Sequence, residues 1–343
     1  MQQPRTPAAT RGVQVVFTLP TGGDRCAELQ GTTGTRGDMS TSVTFFGVRG
    51  STPCSCESLR RYGGNTSCVV VNPPDGEPVI LDLGTGLRFF GPSSVPGEPF
   101  RASALVTHLH WDHVQGIPFF PPLLEEGSRL DLFAPHQCDG SLEEVVGGFL
   151  SPPYFPVALS ELPCEIRFHE LGADSFDLPG ATVRSAWVPH VGPTLGYRVE
   201  AGGVSIAYVS DHQQPGVATT SVDEGVLELC EGADLLIHDA QYDEAEFAER
   251  SDWGHCTVDY ALEVAHAAGV DTLVLFHHDP SHADARIDGL AAGASRRALD
   301  LGVREVIAAH EGLTVHLEGG RSRSRGAERS CLSALAAPTA ARL

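Results

Sequence analysis

The chain has 343 residues, and its 44 acidic residues against 23 basic ones give a formal net charge of −21. All 23 basic residues are arginine, which excludes Schiff-base lysines, the lysine of a phosphate-binding P-loop and lysine-rich nucleic-acid patches. The acidic surplus disfavours broad contact with a polyanion, but it does not exclude one small phosphate held in a cationic pocket.

The two ends of the chain differ in composition from its middle. Residues 1–40 are rich in Gly, Thr, Pro and Arg without apolar periodicity, and residues 319–343 contain an Arg/Ser run. Both are predicted to be disordered, as an arm and a tail around one domain at residues 41–318. The cysteines form no C-x-x-C pair, and neither a signal peptide nor a membrane-spanning stretch is evident. We therefore expect a cytoplasmic protein without membrane contact.

Between the ends, short β-rich runs alternate with segments of helical spacing. Strands are predicted at residues 43–48, 67–71, 79–83, 104–107, 130–133, 165–169, 182–187, 194–199, 205–209, 235–238, 272–276, 306–309 and 313–317. Helices are predicted at residues 142–149, 222–230, 258–268 and 283–301. This order is typical of an α+β protein in which two mixed β-sheets pack face to face and helices cover their outer faces.

Two loops near the first strand are rich in Gly, Ser, Thr, Asn and Arg. They read G-V-R-G-S-T-P at residues 47–53 and R-R-Y-G-G-N-T-S at residues 60–67. Such loops can present backbone N–H groups and guanidinium to an anion, which favours Arg49, Ser51 and Asn65 as contacts to a substrate phosphate. A tight turn before the second strand explains the same composition equally well.

The strongest signal is T-H-L-H-W-D-H, which directly follows a predicted apolar strand. Alternate residues of an extended segment point the same way, so His108 and His110 face one spot. Asp112 and His113 then turn back across the strand end. Imidazole and carboxylate donors suit zinc, and more than one cation is needed to use all four groups.

Two segments rich in proline and aromatic residues follow, at residues 117–122 and 151–156. They have two interpretations: a rigid lip over the site, or a hydrophobic subunit contact that would make the protein a homodimer. Aromatic side chains on such a lip would suit a nucleobase.

The histidine motif resembles the H-x-H-x-D-H signature of the metallo-β-lactamase-fold hydrolases, and the resemblance covers about residues 43–318. It implies a four-layer αββα sandwich with two divalent metal ions, zinc being expected and manganese or iron being alternatives. Later landmarks of the family follow in order: Asp82 in I-L-D-L-G, His190 in W-V-P-H-V-G, Asp211 in Y-V-S-D-H and His277 in L-F-H-H-D.

The resemblance implies two metal sites that share the carboxylate of Asp211. The other expected ligands are His108, His110 and His190 in the first site, and Asp112, His113 and His277 in the second. Asp112 is also expected to take part in catalysis. Asp82 is expected to contact a metal-binding side chain rather than the metal itself. His278 is the alternative to His277 as the last histidine ligand, and the flanking sequence favours His277. His212 is open to a substrate-binding or a structural interpretation.

A second cluster narrows the resemblance. L-I-H-D-A-Q-Y, which contains Asp239, and G-H-C-T, which contains His255, resemble the H-E-A-T-F and G-H-S-T landmarks of RNase Z-like phosphodiesterases. The resemblance implies that Asp239, in place of glutamate, orients His255, which donates a proton to the leaving oxygen. A helix N-terminal histidine with Thr257 as the cap is the structural alternative.

The predicted substrate is a small phosphodiester such as a cyclic nucleotide. Relatives that mature tRNA carry a long insertion between the third histidine and the bridging aspartate, whereas only 21 positions separate His190 from Asp211 here. The missing insertion and the acidic chain both disfavour structured nucleic acid. Hydrolysis of a lactone or thioester is the alternative reaction, and a metal-binding sensor without turnover is the alternative of another class.

Overall fold

The computed structural model of the protein describes residues 13–16, 40–91, 99–217 and 221–319. Within the predicted arm, Val13–Val16 form a strand that pairs antiparallel with Thr314–Leu317. These four residues depart from the disorder predicted for residues 1–40, because so short a run shows no periodicity and gains its partner from the far end of the domain. The rest of the arm, and residues 320–343 of the tail, lie outside the described residues.

Two mixed β-sheets form the centre of the fold. The strands in chain order are β1 (Val13–Val16), β2 (Thr41–Gly47), β3 (Cys68–Asn72), β4 (Val79–Leu81), β5 (Arg101–Leu105), β6 (Arg129–Pro135), β7 (Glu165–Leu171), β8 (Ser175–Leu178), β9 (Ala181–Trp187), β10 (Leu195–Ala201), β11 (Val204–Val209), β12 (Leu235–Asp239), β13 (Thr272–Phe276), β14 (Glu305–Ala308) and β15 (Thr314–Leu317). The first sheet has the order β1-β15-β2-β3-β4-β5-β6-β7, and the second has the order β14-β13-β12-β11-β10-β9-β8.

The helices are α1 (Trp111–Val114), α2 (Leu142–Phe149), α3 (Glu224–Cys230), α4 (Glu244–Glu249), α5 (Val258–Ala267) and α6 (Asp284–Leu301). Four of them, α2, α3, α5 and α6, cover the outer faces of the sheets. Within the described part of the chain, none of these helices combines the length and the apolar character needed to cross a bilayer.

Three apolar layers separate the four layers of secondary structure. One lies between the sheets, where Phe45 of β2 and Phe276 of β13 have ring centroids 6.1 Å apart. A second packs α3, α5 and α6 against the second sheet, through side chains such as Leu262. A third packs α2 against the first sheet, through side chains such as Val146. The predicted αββα sandwich is therefore confirmed.

Each strand predicted between residues 43 and 317 is present, with its ends shifted by at most three residues. Each predicted helix is present as well. The sequence interpretation missed β8, α1 and α4, which have four, four and six residues. Helices α1 and α4 do not complete enough turns to show a helical period, and β8 has no fully buried residue to mark it as a strand.

The fold gathers polar residues at one edge of each sheet. Strands β4 and β5 are parallel neighbours, as are β11, β12 and β13, so their carboxyl ends meet at a common edge. Asp82 and His108 follow β4 and β5 in the first sheet, while Asp211 and His277 follow β11 and β13 in the second. Such carboxyl edges are where ligands bind in many α/β proteins.

Candidate metal centre

Five histidines and two aspartates converge where the two edges meet. We call His108, His110 and His190 the first ligand set, and Asp112, His113 and His277 the second ligand set. Within each set the candidate ligand atoms lie within 4.8 Å of one another. Asp211 forms further groups of this kind, with His108 and His113 and with His255 and His277. The structure thus brings together every metal ligand predicted from the sequence.

The carboxylate of Asp211 lies between the two sets. Its Oδ1 is 3.9 Å from Nε2 of His108 and 3.8 Å from Nε2 of His190. Its Oδ2 is 3.2 Å from Nε2 of His113 and 3.4 Å from Nε2 of His277. One oxygen therefore faces each set, which is the arrangement that a bridging carboxylate requires.

An outer ring of hydrogen bonds fixes three of the imidazoles. Nδ1 of His113 donates to Asp82 at 2.8 Å, and Nδ1 of His190 donates to the carbonyl of Gly254 at 2.7 Å. Nδ1 of His277 donates to the side-chain oxygen of Gln241 at 2.8 Å. A proton held on Nδ1 leaves the Nε2 lone pair of each ring free to face the cluster.

The site passes a test of fit for metal ions. Nε2 of His108 and Nε2 of His113 are buried without a hydrogen bond of acceptable geometry, although an unpartnered buried polar group costs about 1–3 kcal/mol. Both atoms face the centre of the cluster, so a cation there would satisfy them. Nitrogen and carboxylate oxygen donors in this ratio suit zinc, manganese or iron.

The charge state of the cluster also suits a cation. Burial lowers the pKa of His108 and of His190, so their rings are neutral donors. Burial would raise the pKa of Asp211, but His277 and His113 outweigh burial and hold it well below its ordinary value. Burial would lower the pKa of His113, but Asp112 and Asp82 hold it well above its ordinary value, so a cation at the cluster would have to displace that proton. Ionised carboxylate and neutral imidazole are the forms that bind metal.

Backbone strain is concentrated at this site. Three non-glycine residues of the described chain have positive φ, namely Ser51 at 62°, Asp82 at 59° and His277 at 59°, and all three adjoin the cluster. Two glycines permit close approach, since a Cβ on Gly50 would lie 2.3 Å from the ring of His277 and one on Gly254 would lie 2.4 Å from the ring of His190. Strain that persists only at a ligand cluster indicates a functional constraint.

Replacing Ser51 with glycine should stabilise the fold. The left-handed conformation costs a non-glycine residue about 1 kcal/mol, and the 2.7 Å bond from the backbone N–H of Ser51 to Asp112 stays in the variant. We expect Ser51→Gly to raise the free energy of unfolding in urea by about 1 kcal/mol. Ser55→Gly, at an exposed loop position with ordinary φ, should lower it. An equal loss in both variants would contradict the strain argument.

His255 and Asp239 form a pair beside the cluster. Nδ1 of His255 donates to Oδ2 of Asp239 at 2.9 Å and lies 3.7 Å from Oδ1 of Asp211. Burial lowers the pKa of His255, but Asp239 and Asp211 more than reverse this and raise it to about 9. Thr257 also caps α5 through a bond from the backbone N–H of Tyr260. The helix-capping alternative thus holds for Thr257, while His255 faces the cluster.

The predicted phosphate contacts have different outcomes. Arg49 is 0% exposed, and its guanidinium donates to the carbonyls of Gly63, Asp279 and His282. These contacts hold loops of the fold together, and a contact of Arg49 with substrate stays a prediction. The side-chain amide of Asn65 is held by Glu311 at 2.9 Å, which is a structural contact. Only Ser51 adjoins the cluster. Sequence composition gave the anion-binding residue types but not the direction of their side chains.

The competing histidines belong to none of the candidate ligand groups found among the described residues. Nε2 of His278 faces the carbonyl of Ala309 at 2.9 Å, away from the cluster. His212 is buried and lies 3.0 Å from His238 through their ring nitrogens. Gln241 was missed by the sequence interpretation, although its position two residues after Asp239 at a strand end was a usable signal.

Comparison with known proteins identifies relatives of the whole domain. The family model described as the beta-lactamase superfamily domain matches residues 79–278. Ribonuclease Z of Haloarcula marismortui is 28% identical over 82% of this chain and 98% of its own length. Ribonuclease Z of Methanosarcina acetivorans is 30% identical over 71% of this chain and 88% of its own length. The crystal structure of human tRNase Z, short form, superposes with a TM-score of 0.56 at 23% identity, covering 80% of this chain and 98% of its own.

Proposed function

We propose that this chain, which belongs to the beta-lactamase superfamily of metal-dependent hydrolases, cleaves small phosphodiesters at the cluster around Asp211. The two ligand sets would each hold one divalent ion, with Asp211 shared between them. When bound, two such ions would supply an activated water and positive charge next to the reacting phosphate. Zinc is the expected metal, and manganese or iron would fit the same donors.

The observation that carries the phosphodiester proposal is the pair of His255 and Asp239. Cleavage of a phosphodiester leaves an alkoxide, which must receive a proton. His255 is 7% exposed, sits beside Asp211 and is held by Asp239, so it can donate a proton inside the site. A thioester hydrolase needs no second group of this kind, because its leaving group is a stable thiolate. A lactone also expels an alkoxide, so the substrate panel described below is what separates lactone hydrolysis from phosphodiester cleavage.

Two exposed tryptophans next in sequence to residues of the site support a substrate with a planar aromatic part. Trp111, next to His110, is 58% exposed, and Trp253, next to Gly254, is 61% exposed. The Trp111 ring is braced by Phe149 at 5.5 Å between centroids, and the guanidinium of Arg250 lies 5.6 Å from the Trp253 ring. Indoles fixed in this way can stack a nucleobase, which favours a cyclic nucleotide.

RNA is the second candidate substrate, because the named relatives are ribonucleases. Two observations support the smaller substrate instead. Strands β10 and β11 pair directly through Ala201 and Val204, so no arm stands between His190 and Asp211. The net charge of −21 also opposes a long polyanion.

A substrate panel on metal-loaded protein tests the proposal. It should contain bis(4-nitrophenyl) phosphate, 2′,3′- and 3′,5′-cyclic mononucleotides, a tRNA precursor with a 3′ trailer, a homoserine lactone and a thioester. We expect turnover of the small phosphodiesters, and chelator-treated protein is the control. Lactone or thioester turnover without phosphodiester turnover would overturn the reaction class, and turnover of the tRNA precursor alone would overturn the substrate size. No turnover despite full metal loading would favour a metal-binding sensor.

Metal content gives a separate prediction. Protein purified without chelators and equilibrated with zinc should contain two ions per chain by elemental mass spectrometry, because each ligand set has three donors besides Asp211. Dialysis against a chelator should remove both ions and the activity together. Saturation at one ion per chain would contradict the use of both ligand sets.

A further inference from the structure

Gln241 lies behind the second ligand set, two residues beyond Asp239, which is the last residue of β12. It is 2% exposed, and its Oε1 accepts a hydrogen bond from Nδ1 of His277 at 2.8 Å. Its amide nitrogen points the other way, to the hydroxyl oxygens of Tyr242 at 3.2 Å and Ser51 at 3.5 Å. The amide oxygen is thus the atom that the structure places against His277.

The direction of this bond determines which nitrogen of His277 carries the proton. Nε2 of His277 lies 3.1 Å from Asp112 and 3.4 Å from Asp211. Nε2 is therefore the nitrogen that faces the second ligand set, and it can bind a metal only if the ring proton is on Nδ1. An acceptor at Nδ1 draws the proton to the opposite side of the ring. Gln241 supplies that acceptor, so it favours the tautomer that binds metal.

The surroundings of this bond leave it little freedom. A Cβ on Gly50 would lie 2.3 Å from Nδ1 of His277 and 2.8 Å from Oε1 of Gln241, so the glycine backbone packs against the hydrogen bond itself. His277 has a φ of 59°, which a side chain tolerates only where its surroundings fix it. The ring is therefore placed by contacts on several sides.

Gln241 also connects the second ligand set to the proposed proton donor. Its backbone N–H donates to Oδ1 of Asp239 at 3.0 Å, and Oδ2 of the same carboxylate accepts from His255. The side chain and the backbone of one residue thus hold a metal ligand and the carboxylate behind the donor. The other rings use partners of different kinds, a carboxylate for His113 and a backbone carbonyl for His190.

We infer that Gln241 is a positioning residue that fixes the tautomer and orientation of His277 and so sets the metal affinity of the second ligand set. The inference rests on the proposed function for the presence of the metal, but it concerns affinity and not turnover. Loss of a partner behind a metal-binding histidine typically weakens metal affinity by about 10- to 100-fold.

The test compares Gln241→Met, which keeps the side-chain length and removes the acceptor, with Gln241→Glu, which keeps the acceptor. Cobalt is titrated into chelator-treated protein, and its visible absorption is followed in competition with a chelator of known affinity. For Gln241→Met we expect one of the two ions to bind about 10- to 100-fold more weakly and the other to bind as in the wild type. Gln241→Glu should bind both ions at least as tightly as the wild type.

Gln214→Met is the matched control. Gln214 is 4% exposed and bonds to Thr257, and the described contacts include no hydrogen bond from its side chain to either ligand set. It should lose thermal stability as Gln241→Met does while keeping both affinities. If the methionine variant does not fold, Gln241→Asn replaces it, because the shorter side chain withdraws the acceptor by one methylene. The same weaker binding of one of the two cobalt ions is expected.

Three results would overturn the inference: unchanged cobalt affinities in the methionine and asparagine variants, equal weakening in Gln241→Glu, or equal weakening in Gln214→Met. A failure of the proposed function would give a different result from a failure of the inference about Gln241. The wild-type protein would bind both ions but would not hydrolyse phosphodiesters, whatever the cobalt affinities of the Gln241 variants.

Discussion

Asp211→Ala should abolish both metal binding and hydrolysis. Its two carboxylate oxygens face the two ligand sets from opposite sides, so the substitution takes one donor from each proposed metal and leaves the imidazoles without the shared charge. We expect fewer than two ions per chain after equilibration with zinc, and a loss in kcat/KM of at least about 1,000-fold, which corresponds to about 4 kcal/mol of transition-state stabilisation. Elemental analysis and phosphodiesterase assays on the same preparation measure both effects.

Two comparisons make the Asp211 experiment specific. Asp211→Asn keeps the shape of the side chain but not its charge, and it should also lose metal. Asp177→Ala removes a carboxylate whose side-chain bond is to Thr182, on the edge hairpin, and it should behave as the wild type. If Asp211→Ala kept two ions per chain, the position of the bridge would be wrong even if activity were lost.

His255→Ala should impair hydrolysis in proportion to how poor the leaving group is. A 4-nitrophenolate departs without a proton, whereas an alkoxide needs one. We expect a loss of about 10²- to 10⁴-fold in kcat for an alkyl phosphodiester and less than about tenfold for bis(4-nitrophenyl) phosphate. Metal content should stay at two ions per chain, because neither proposed ligand set includes His255.

The His255 experiment has a remote control in His136→Ala. The side chain of His136 is 69% exposed and pairs with Glu170 at the surface, so its removal should leave both substrates unaffected. Asp239→Asn should share the leaving-group dependence of His255→Ala, since it weakens the hold on the imidazole. An equal loss for both leaving groups in His255→Ala would refute the role of proton donor.

Most of the fold could be predicted from the sequence because its elements are long enough to complete several periods. Strand β9 alternates buried Val183 with exposed Arg184, and helix α6 runs for 18 residues. Strands β1 and β8 could not be predicted. Their length is not the reason, since β14 and β15 also have four residues each and were predicted; β8 has no fully buried residue to mark it. The stability of β1 comes from pairing with β15, at the far end of the chain.

In the candidate site, too, residues that are close in sequence could be predicted from the residues themselves, and residues that only the tertiary fold brings together could not. His108, His110, Asp112 and His113 could be predicted because they are close in sequence and one local geometry unites them. The more distant members were placed by resemblance to family landmarks. The contacts of Arg49 and Gln241 could not be predicted, because their partners Asp279 and His277 lie more than 30 positions away; for Gln241 the sequence offered only its place two residues after Asp239 at a strand end. A sequence shows the chemistry of a side chain but not which way the tertiary fold turns it.

The distribution of the ligands along the chain determines when the centre can be completed. Asp112 and His277 are 165 positions apart, and His277 follows β13, which cannot pair until most of the second sheet has been synthesised. A nascent chain that has reached Asp211 has the first ligand set and the shared carboxylate but lacks the last imidazole. The second ligand set can therefore be completed only after β13 has been synthesised and has paired with β12.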